Sequence, residues 1–320
     1  MCNQESNKRM VISPQGEKRL LVVLGGGESG VGAAILGKQK GFEVFVSDKG
    51  GIARRYKEIL LQNNINFEEE KHTENKILKG AVVVKSPGIP DSIPLVLKLK
   101  EKGISVISEI EFAAKYTTAT LVGITGSNGK TTTALLTQFI LKNAEINSGL
   151  AGNIGDSFAR QVATQSYDNY VLELSSFQLD GIVDFNSHIA ILTNITPDHL
   201  DRYEDDFNKY IESKFRITKN QTASDYLIYD ADDEAINTWL QKNSTKATLI
   251  PFSLEKQLEY GAFIKDNNII ININKETIQM PISTLSVKGK HNTKNAMAAT
   301  MAAQLLKIRK ESIKESLENF

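Results

Sequence analysis

The chain has a single cysteine, Cys2, which rules out an internal disulfide and any metal site built on cysteines. It also lacks an excess of either charge. Thirty-eight lysines and arginines balance 38 acids, so no broad field draws it to nucleic acid or anionic lipid, and any bound anion needs a local site. No apolar run approaches the roughly 18 residues of a membrane helix. The polar start, MCNQESNKRMVISPQGEKR, has no apolar centre of the signal-peptide kind. These absences predict a cytoplasmic protein without nucleic-acid or membrane partners. No internal repeat or low-complexity tract occurs. The remaining composition, 41% hydrophobic and 24% charged over 320 residues, is that of a globular protein of roughly two domains.

The most informative stretch is ATLVGITGSNGKTTTALL, residues 119–136. An apolar run at 121–124 gives way to glycine-punctuated polar residues and then to a helical pattern, which is the order strand, loop, helix. Gly126, Ser127, Asn128 and Gly129 let the backbone turn its N–H groups inward, and the new helix adds unpaired donors at its start. Lys130 supplies a cation for β- and γ-phosphates, the Thr131 hydroxyl a ligand for Mg²⁺, and Thr132 a further position at the helix start. Ile124 stands where the usual G-x-x-x-x-G-K-[ST] spacing puts its first glycine, so the pattern is a variant. The reading is an ATP site; the alternative is a polar turn that merely precedes a lysine.

Upstream, a strand at 20–24 (LLVVL) runs into Gly25, Gly27 and Gly30, a G-x-G-x-x-G spacing, with a helix expected over 31–40. Asp48 follows the next strand, about twenty residues past the loop, where a dinucleotide-binding fold places its ribose-binding acid. A tight turn without a ligand is the alternative. Another strand at 81–84 ends in Ser86-Pro87-Gly88, an abrupt turn at a carboxyl end that borders the ligand crevice of open α/β sheets. Strand and helix alternate through 19–108, which predicts a Rossmann-like parallel sheet over residues 1–108, after a loose start to about residue 18. Residues 109–320 are expected to form a second, P-loop-type α/β domain with a small antiparallel hairpin at 263–273.

In that second part, residues 149–155 (GLAGNIG) read as a polar glycine turn, with Asn153 either a ligand donor or a plain turn residue. Glu173 lies in a strand, NYVLEL, and is costly there unless paired or metal-bound. It is the second acid of an NTPase or an edge-strand glutamate facing water. After the strand at 189–193 come Asp198, His199, Asp201 and Arg202, a dense candidate site, although Asp198 could simply cap the next helix. His188, at the opposite end of that strand, reads as structural. A helix over 203–219 carries Lys214 and Arg216. The run Asp230-Ala231-Asp232-Asp233 could bind a metal or cap the helix around Trp239. Helices close the chain at 296–306 and 311–320.

GITGSNGKTT at 123–132, LELSSFQL at 172–179, NITPDHLDRY at 194–203, ESKFRI at 212–217 and GKHNTKNAMAA at 289–299 follow one another at intervals that closely resemble the Mur ligases. LELSSFQL narrows the resemblance to the D-glutamate-adding members, and it extends over essentially all of residues 20–320. It implies ATP-dependent joining of D-glutamate to UDP-N-acetylmuramoyl-L-alanine through an acyl phosphate, a cytoplasmic step of cell-wall synthesis tied to cell shape and division. ATP and Mg²⁺ are the implied cofactors, and a monomer is expected.

Position by position, the resemblance assigns Lys130 and the 126–132 backbone to the ATP phosphates, and Asn292 and Asn295 to the adenine end. It assigns Thr131 and Glu173 to a first Mg²⁺ and His199 to a second, with Lys214 matching a lysine the family carries as a carbamate. Asn153 matches a substrate contact. Glu28 and Ser29 of the glycine loop, Asp48-Lys49 and Ser86-Pro87-Gly88 match the uridine diphosphate site. The family's third domain, which binds D-glutamate, would begin about where Phe320 ends the chain. The expectation is therefore a chain that binds nucleotides but ligates little alone. An NAD-dependent oxidoreductase built on residues 20–50 leaves the 123–132 loop without a role. A non-catalytic nucleotide-binding module and a sister ligase for another amino acid are the remaining alternatives.

Overall fold

The computed structural model describes residues 19–320; the start expected to be loose lies outside them. Two compact units form, divided after Thr118, and residues 155–166 and 180–185 join the first. The boundary thus lies ten residues beyond the expected 108, and the first unit recruits two later segments.

In the first unit the strand–helix alternation gives β1 (Leu20–Leu24), α1 (Glu28–Gln39), β2 (Glu43–Ser47), α2 (Arg54–Gln62), β3 (Asn66–Glu68), α3 (Glu74–Ile77), β4 (Val82–Lys85), α4 (Pro94–Glu101), β5 (Ser105–Ile107) and α5 (Glu109–Ala114). The strands lie in the order β3-β2-β1-β4-β5, all parallel. Leu21 to Leu24 are fully buried, as a central strand covered on both faces requires, and this is why LLVVL shows no polar alternation. The later helix Phe158–Thr164 (α7, numbered in chain order) belongs to this unit.

Two glutamates fasten the recruited segments. Ser157 Oγ donates to Glu109 Oε1 at 2.7 Å and the Ala159 N–H at 2.5 Å, which ties α5 to the start of α7. Gly32 of α1 faces Ser157 so closely that a Cβ there would lie 1.9 Å from its Oγ. Glu109 Oε2 is buried without a hydrogen bond, and burial pushes the carboxyl up to about 7. The folded state holds a proton that the unfolded chain, with an ordinary value of 4.5, gives up first. Stability should therefore fall as pH rises from about 4.5 to about 7, by about 3 kcal/mol, and then level off. Glu109→Gln should remove that slope in denaturation midpoints taken across this range; an unchanged slope would mean another group sets it. Glu111 works differently. Its Oε2 accepts from the N–H groups of Val183, Asp184 and Phe185 at 2.9, 3.0 and 2.8 Å, and Lys115 Nζ lies 2.9 Å from its Oε1.

The second unit contains β6 (Thr120–Thr125), α6 (Lys130–Asn143), β7 (Ser148–Gly152), β8 (Asn169–Glu173), α8 (Ser176–Asp180), β9 (Ile189–Leu192), α9 (Phe207–Phe215), β10 (Tyr226–Asp230), α10 (Glu234–Lys242), β11 (Thr248–Phe252), β12 (Gly261–Lys265), β13 (Asn268–Ile273), β14 (Glu276–Pro281), α11 (Lys290–Leu305) and α12 (Lys310–Asn319). Its nine-stranded sheet runs β14-β13-β12-β11-β10-β9-β6-β8-β7. Pairing is parallel from β7 to β12, and β13 and β14 add the antiparallel hairpins. The small side chains of α11 let it pack closely: Ala296, Ala298, Ala299, Ala302 and Ala303 are all fully buried in one core with Leu136 and Ile140 of α6. Among the described residues no helix is long and apolar enough to cross a membrane.

Three expectations are corrected here. Residues 148–152 are not a turn but the edge strand β7, paired with β8 despite two glycines. The helix expected over 203–219 is broken. Glu204 and Asp205 take left-handed φ values of 57° and 55°, and Asp206 starts α9 by accepting from the Asn208 N–H at 2.8 Å. Helix α11 begins at Lys290 rather than 296, so Asn292 and Asn295 sit in its first turns.

Candidate functional site

In the second unit, β6 delivers its chain end into a loop that two close contacts restrict to glycine. Gly126 has φ +145° and its Cβ would fall 2.0 Å from Thr193 Oγ1; Gly129 has φ +82° and its Cβ would fall 2.4 Å from Asn295 Oδ1. The segment after β9 laces the loop down. The Asn194 side chain accepts from the Asn128 N–H at 2.8 Å and donates to the Asn128 carbonyl at 2.9 Å, while Ser127 Oγ donates to the Thr196 carbonyl at 2.8 Å. The loop is thus rigidly presented ahead of the α6 N-terminus, the geometry of an anion cradle.

Lys130 Nζ donates to the Gly126 and Ser127 carbonyls at 2.9 and 2.8 Å. Lys214 reaches the same Gly126 carbonyl at 2.8 Å from α9, with its ammonium 4.9 Å from the centre of the Tyr210 ring. Two cations therefore converge on one loop oxygen. Burial lowers the Lys130 pKa, against the opposing pull of Glu173 and Asp198.

Glu173, 1% exposed, accepts from Thr131 Oγ1 at 2.8 Å through one oxygen and from Asn153 Nδ2 at 3.0 Å through the other. Strand β8 lies between β6 and β7, so the edge-strand alternative for Glu173 is excluded. Asn153 is likewise more than a turn residue, since its side chain orients that carboxylate.

His199 is placed differently. Its side chain is 57% exposed, its φ is +50°, and its contacts are with Asp198 (3.5 Å) and the Phe177 ring (5.3 Å between centres), not with Glu173 or Lys214. Among the described residues no group of three or more His, Cys, Asp or Glu is positioned to hold a metal. The N-cap position of the turn that follows is His199, not Asp198. Asp233 does cap α10, accepting from the Ile236 N–H at 2.9 Å, and His188 pairs with Asp225 at 2.9 Å, a structural role.

A cavity of about 580 Å³ extends from Asn128, Gly129 and Thr132 to Asn292 and Asn295 of α11. Asn295 Nδ2 donates to Asn292 Oδ1 at 3.3 Å, which joins the two. Asp230 and Asp232, read from the sequence only as a metal-binding or capping run, also line this cavity, as does Lys294, which lies 64 residues beyond Asp230 and was not expected there.

In the first unit the G-x-G-x-x-G spacing has a direct steric reason: a Cβ on Gly30 would lie 1.9 Å from the Gly25 carbonyl. Asp48 braces the loop, accepting from the Gly26 N–H at 2.6 Å and the Gly50 N–H at 2.8 Å. Ser86 packs against Gly25, whose Cβ would lie 2.3 Å from Ser86 Oγ. Glu28 accepts from the Ser157 N–H at 3.3 Å. Ser29 is half-buried at the start of α1; Lys49 and Gly88 are exposed and Pro87 half-buried. Behind Asp48 lies a network without a sequence signal, in which Ser47 Oγ meets Glu68 Oε1 and His72 Nδ1, both at 2.7 Å.

Family comparison joins these two loops. The model of the Mur ligase middle domain matches residues 124–303, and that of the MurD N-terminal domain matches residues 21–93. The chain belongs to the Mur ligase family. It is 59% identical over 300 residues to the UDP-N-acetylmuramoylalanine--D-glutamate ligase of Christiangramia forsetii and 50% identical over 300 residues to that of Bacteroides thetaiotaomicron. Each match covers 94% of this chain and 67% of the relative. In fold, this Mur ligase resembles the murein peptide ligase of Psychrobacter arcticus (TM-score 0.63, 20% identity, 94% and 68% of the two chains). It also resembles the UDP-N-acetylmuramate-alanine ligase MurC of Thermotoga maritima (TM-score 0.56, 18% identity, 94% and 68%).

Proposed function

We propose that this Mur ligase joins D-glutamate to UDP-N-acetylmuramoyl-L-alanine at the expense of ATP, making a peptidoglycan precursor. The names of its relatives support the substrates. The observation that carries the chemistry is the hydrogen-bonded line Lys214–Gly126–Lys130 beside Thr131–Glu173–Asn153 at the start of α6.

In this reading the 126–132 backbone and the α6 N-terminus hold the triphosphate, and Lys130 exchanges its two carbonyl acceptors for phosphate oxygens. The L-alanyl carboxylate attacks the γ-phosphorus and ADP departs, leaving an acyl phosphate; the amine of D-glutamate then displaces phosphate to form the amide. Both reactants of the first step are anions, so the residues at the loop must gather positive charge and exclude water. Thr131 and Glu173 suit Mg²⁺: a hydroxyl and a buried carboxylate already in contact make a hard oxygen pair. When bound there, the ion supplies charge neutralisation on the phosphates. Lys214 adds a second cation at Gly126, and His199 and Asn153 stand as contacts for the acceptor substrate. Asn292 and Asn295 take the adenosine end. Glu28, Ser29, Asp48, Lys49 and Ser86-Pro87-Gly88 hold the uridine diphosphate in the first unit.

Calorimetry tests this directly. UDP-N-acetylmuramoyl-L-alanine and Mg-ATP should each bind at one site per chain, and NADH should not compete with the uridine ligand. Saturable NADH binding with no uridine-ligand binding would overturn the reading.

A further inference from the structure

Ser47, the last residue of β2, directly precedes Asp48 and is fully buried, and its hydroxyl sits between two side chains that no motif explains. Glu68 Oε1 and His72 Nδ1 each lie 2.7 Å from Ser47 Oγ, while the Lys71 carbonyl, at 3.4 Å, is too far to compete. Glu68 also accepts from the Thr73 N–H at 2.7 Å and from the Thr73 hydroxyl at 2.5 Å. Burial pushes its carboxyl up, but the Thr73 and Ser47 hydrogen bonds and the Lys71 charge outweigh it. They hold the group below its ordinary range, so it only accepts. A hydroxyl has one hydrogen, and Glu68 takes it. The Ser47 oxygen can then meet His72 only by accepting, so the single hydrogen of the neutral imidazole lies on Nδ1. Burial lowers the His72 pKa, against the pull of Glu68 and Asp48 and with Lys49 adding to it, so the ring is neutral at pH 7 and above.

The line from His72 through Ser47 to Glu68 pins residues 68–73 to the end of β2, and those residues hold the turn that follows. The Asp48 N–H donates to the Glu68 carbonyl at 3.1 Å, the Glu70 N–H to the Gly50 carbonyl at 3.0 Å, and the Ile52 N–H to Glu69 Oε2 at 2.8 Å. That turn carries Lys49 and Asp48, which accepts from the Gly26 N–H of the glycine loop at 2.6 Å. On the uridine diphosphate reading of this unit given above, we propose that His72 and Glu68 are positioning residues of that site, acting through the Ser47 hydroxyl to fix Asp48 and Lys49.

Calorimetry at pH 8, with UDP-N-acetylmuramoyl-L-alanine and with Mg-ATP as separate probes, tests this. His72→Leu removes the Nδ1 donor and should weaken the uridine ligand about tenfold, with Mg-ATP binding to the second unit unchanged. His72→Asn puts an amide N–H where the Nδ1–H was, so it should stay within about twofold of the unaltered protein. A role limited to filling space would give the opposite order, because leucine is nearer to imidazole in volume. Ser47→Ala should lose the same factor, and Ser47→Ala/His72→Leu no more than either single variant, since both break one line. If His72→Leu lacks the normal thermal transition, Ser47→Ala and His72→Asn carry the test. Unweakened uridine-ligand binding in His72→Leu, His72→Asn as weak as His72→Leu, a parallel loss of Mg-ATP binding, or additive losses in the double variant would overturn the proposal. An unaltered protein that binds Mg-ATP but not the uridine ligand would instead remove the uridine reading of the first unit, and this proposal with it.

Discussion

Replacing Lys130 with alanine is expected to weaken Mg-ATP binding by about 100-fold, the scale of losing one buried, hydrogen-bonded charge partner. The substitution should leave the fold in place. The Lys130 ammonium donates to its own loop, at the Gly126 and Ser127 carbonyls, and the loop is independently held by Thr193, Asn194 and Thr196. Lys130→Arg should recover little of the affinity. A planar guanidinium does not fit the space of a compact ammonium that caps two carbonyls. Calorimetry with Mg-ATP measures the loss, and binding of UDP-N-acetylmuramoyl-L-alanine to the first unit provides the control. A variant that binds ATP normally would show that the loop's resemblance to a phosphate cradle is misleading.

The largest expected effect on stability belongs to Glu111→Ala. The side chain is fully buried, and its carboxylate gathers three backbone N–H groups of residues 183–185 together with Lys115. Removing one member of such a buried charged set costs about 3–5 kcal/mol. Thermal unfolding followed by calorimetry should show the transition of the first unit lowered by roughly 10 °C. Glu111→Gln, which keeps an acceptor oxygen but loses the charge, should fall between. A shift of under a degree in Glu111→Ala would mean that residues 180–185 are held in the first unit by other contacts.

Much of the fold was legible because its strands are short, largely apolar runs set off by glycine or by polar turn residues, as at 20–24, 43–46, 81–84 and 189–193. Both phosphate-type loops showed in glycine spacing, since the Gly25 carbonyl leaves no room for a side chain at Gly30, and Gly129 combines a left-handed φ with the Asn295 side chain against it. Strand β7 was not legible. Its two glycines and polar flanks look like a turn, and only pairing with β8 makes it a strand. Helix α7 is seven residues long and owes its place to Glu109 and Glu28, which lie 48 or more residues earlier.

The site divides in the same way. Lys130, Thr131 and Glu173 come together as spacing implied. Thr131 and Glu173, expected at one Mg²⁺, are in contact, whereas His199, expected at the other, stands on a left-handed turn that faces Asp198 and Phe177. Asp48 accepts from the Gly26 N–H of the glycine loop and from the Gly50 N–H of its own turn, a role its position after a strand could not reveal. Lys294 was missed because its pairing with Asp230 joins the start of α11 to the end of β10 across 64 residues.

In the proposed reaction the loop before α6 holds a magnesium-loaded triphosphate. A crystal structure with Mg²⁺ and a non-hydrolysable ATP analogue tests it most directly. The phosphates should lie against the 126–132 backbone, Lys130 Nζ should have left Gly126 and Ser127 for phosphate oxygens, and the ion should touch Thr131 and Glu173. A triphosphate bound instead at the 25–30 loop, or one bound with the Thr131–Glu173 hydrogen bond still closed, would contradict it.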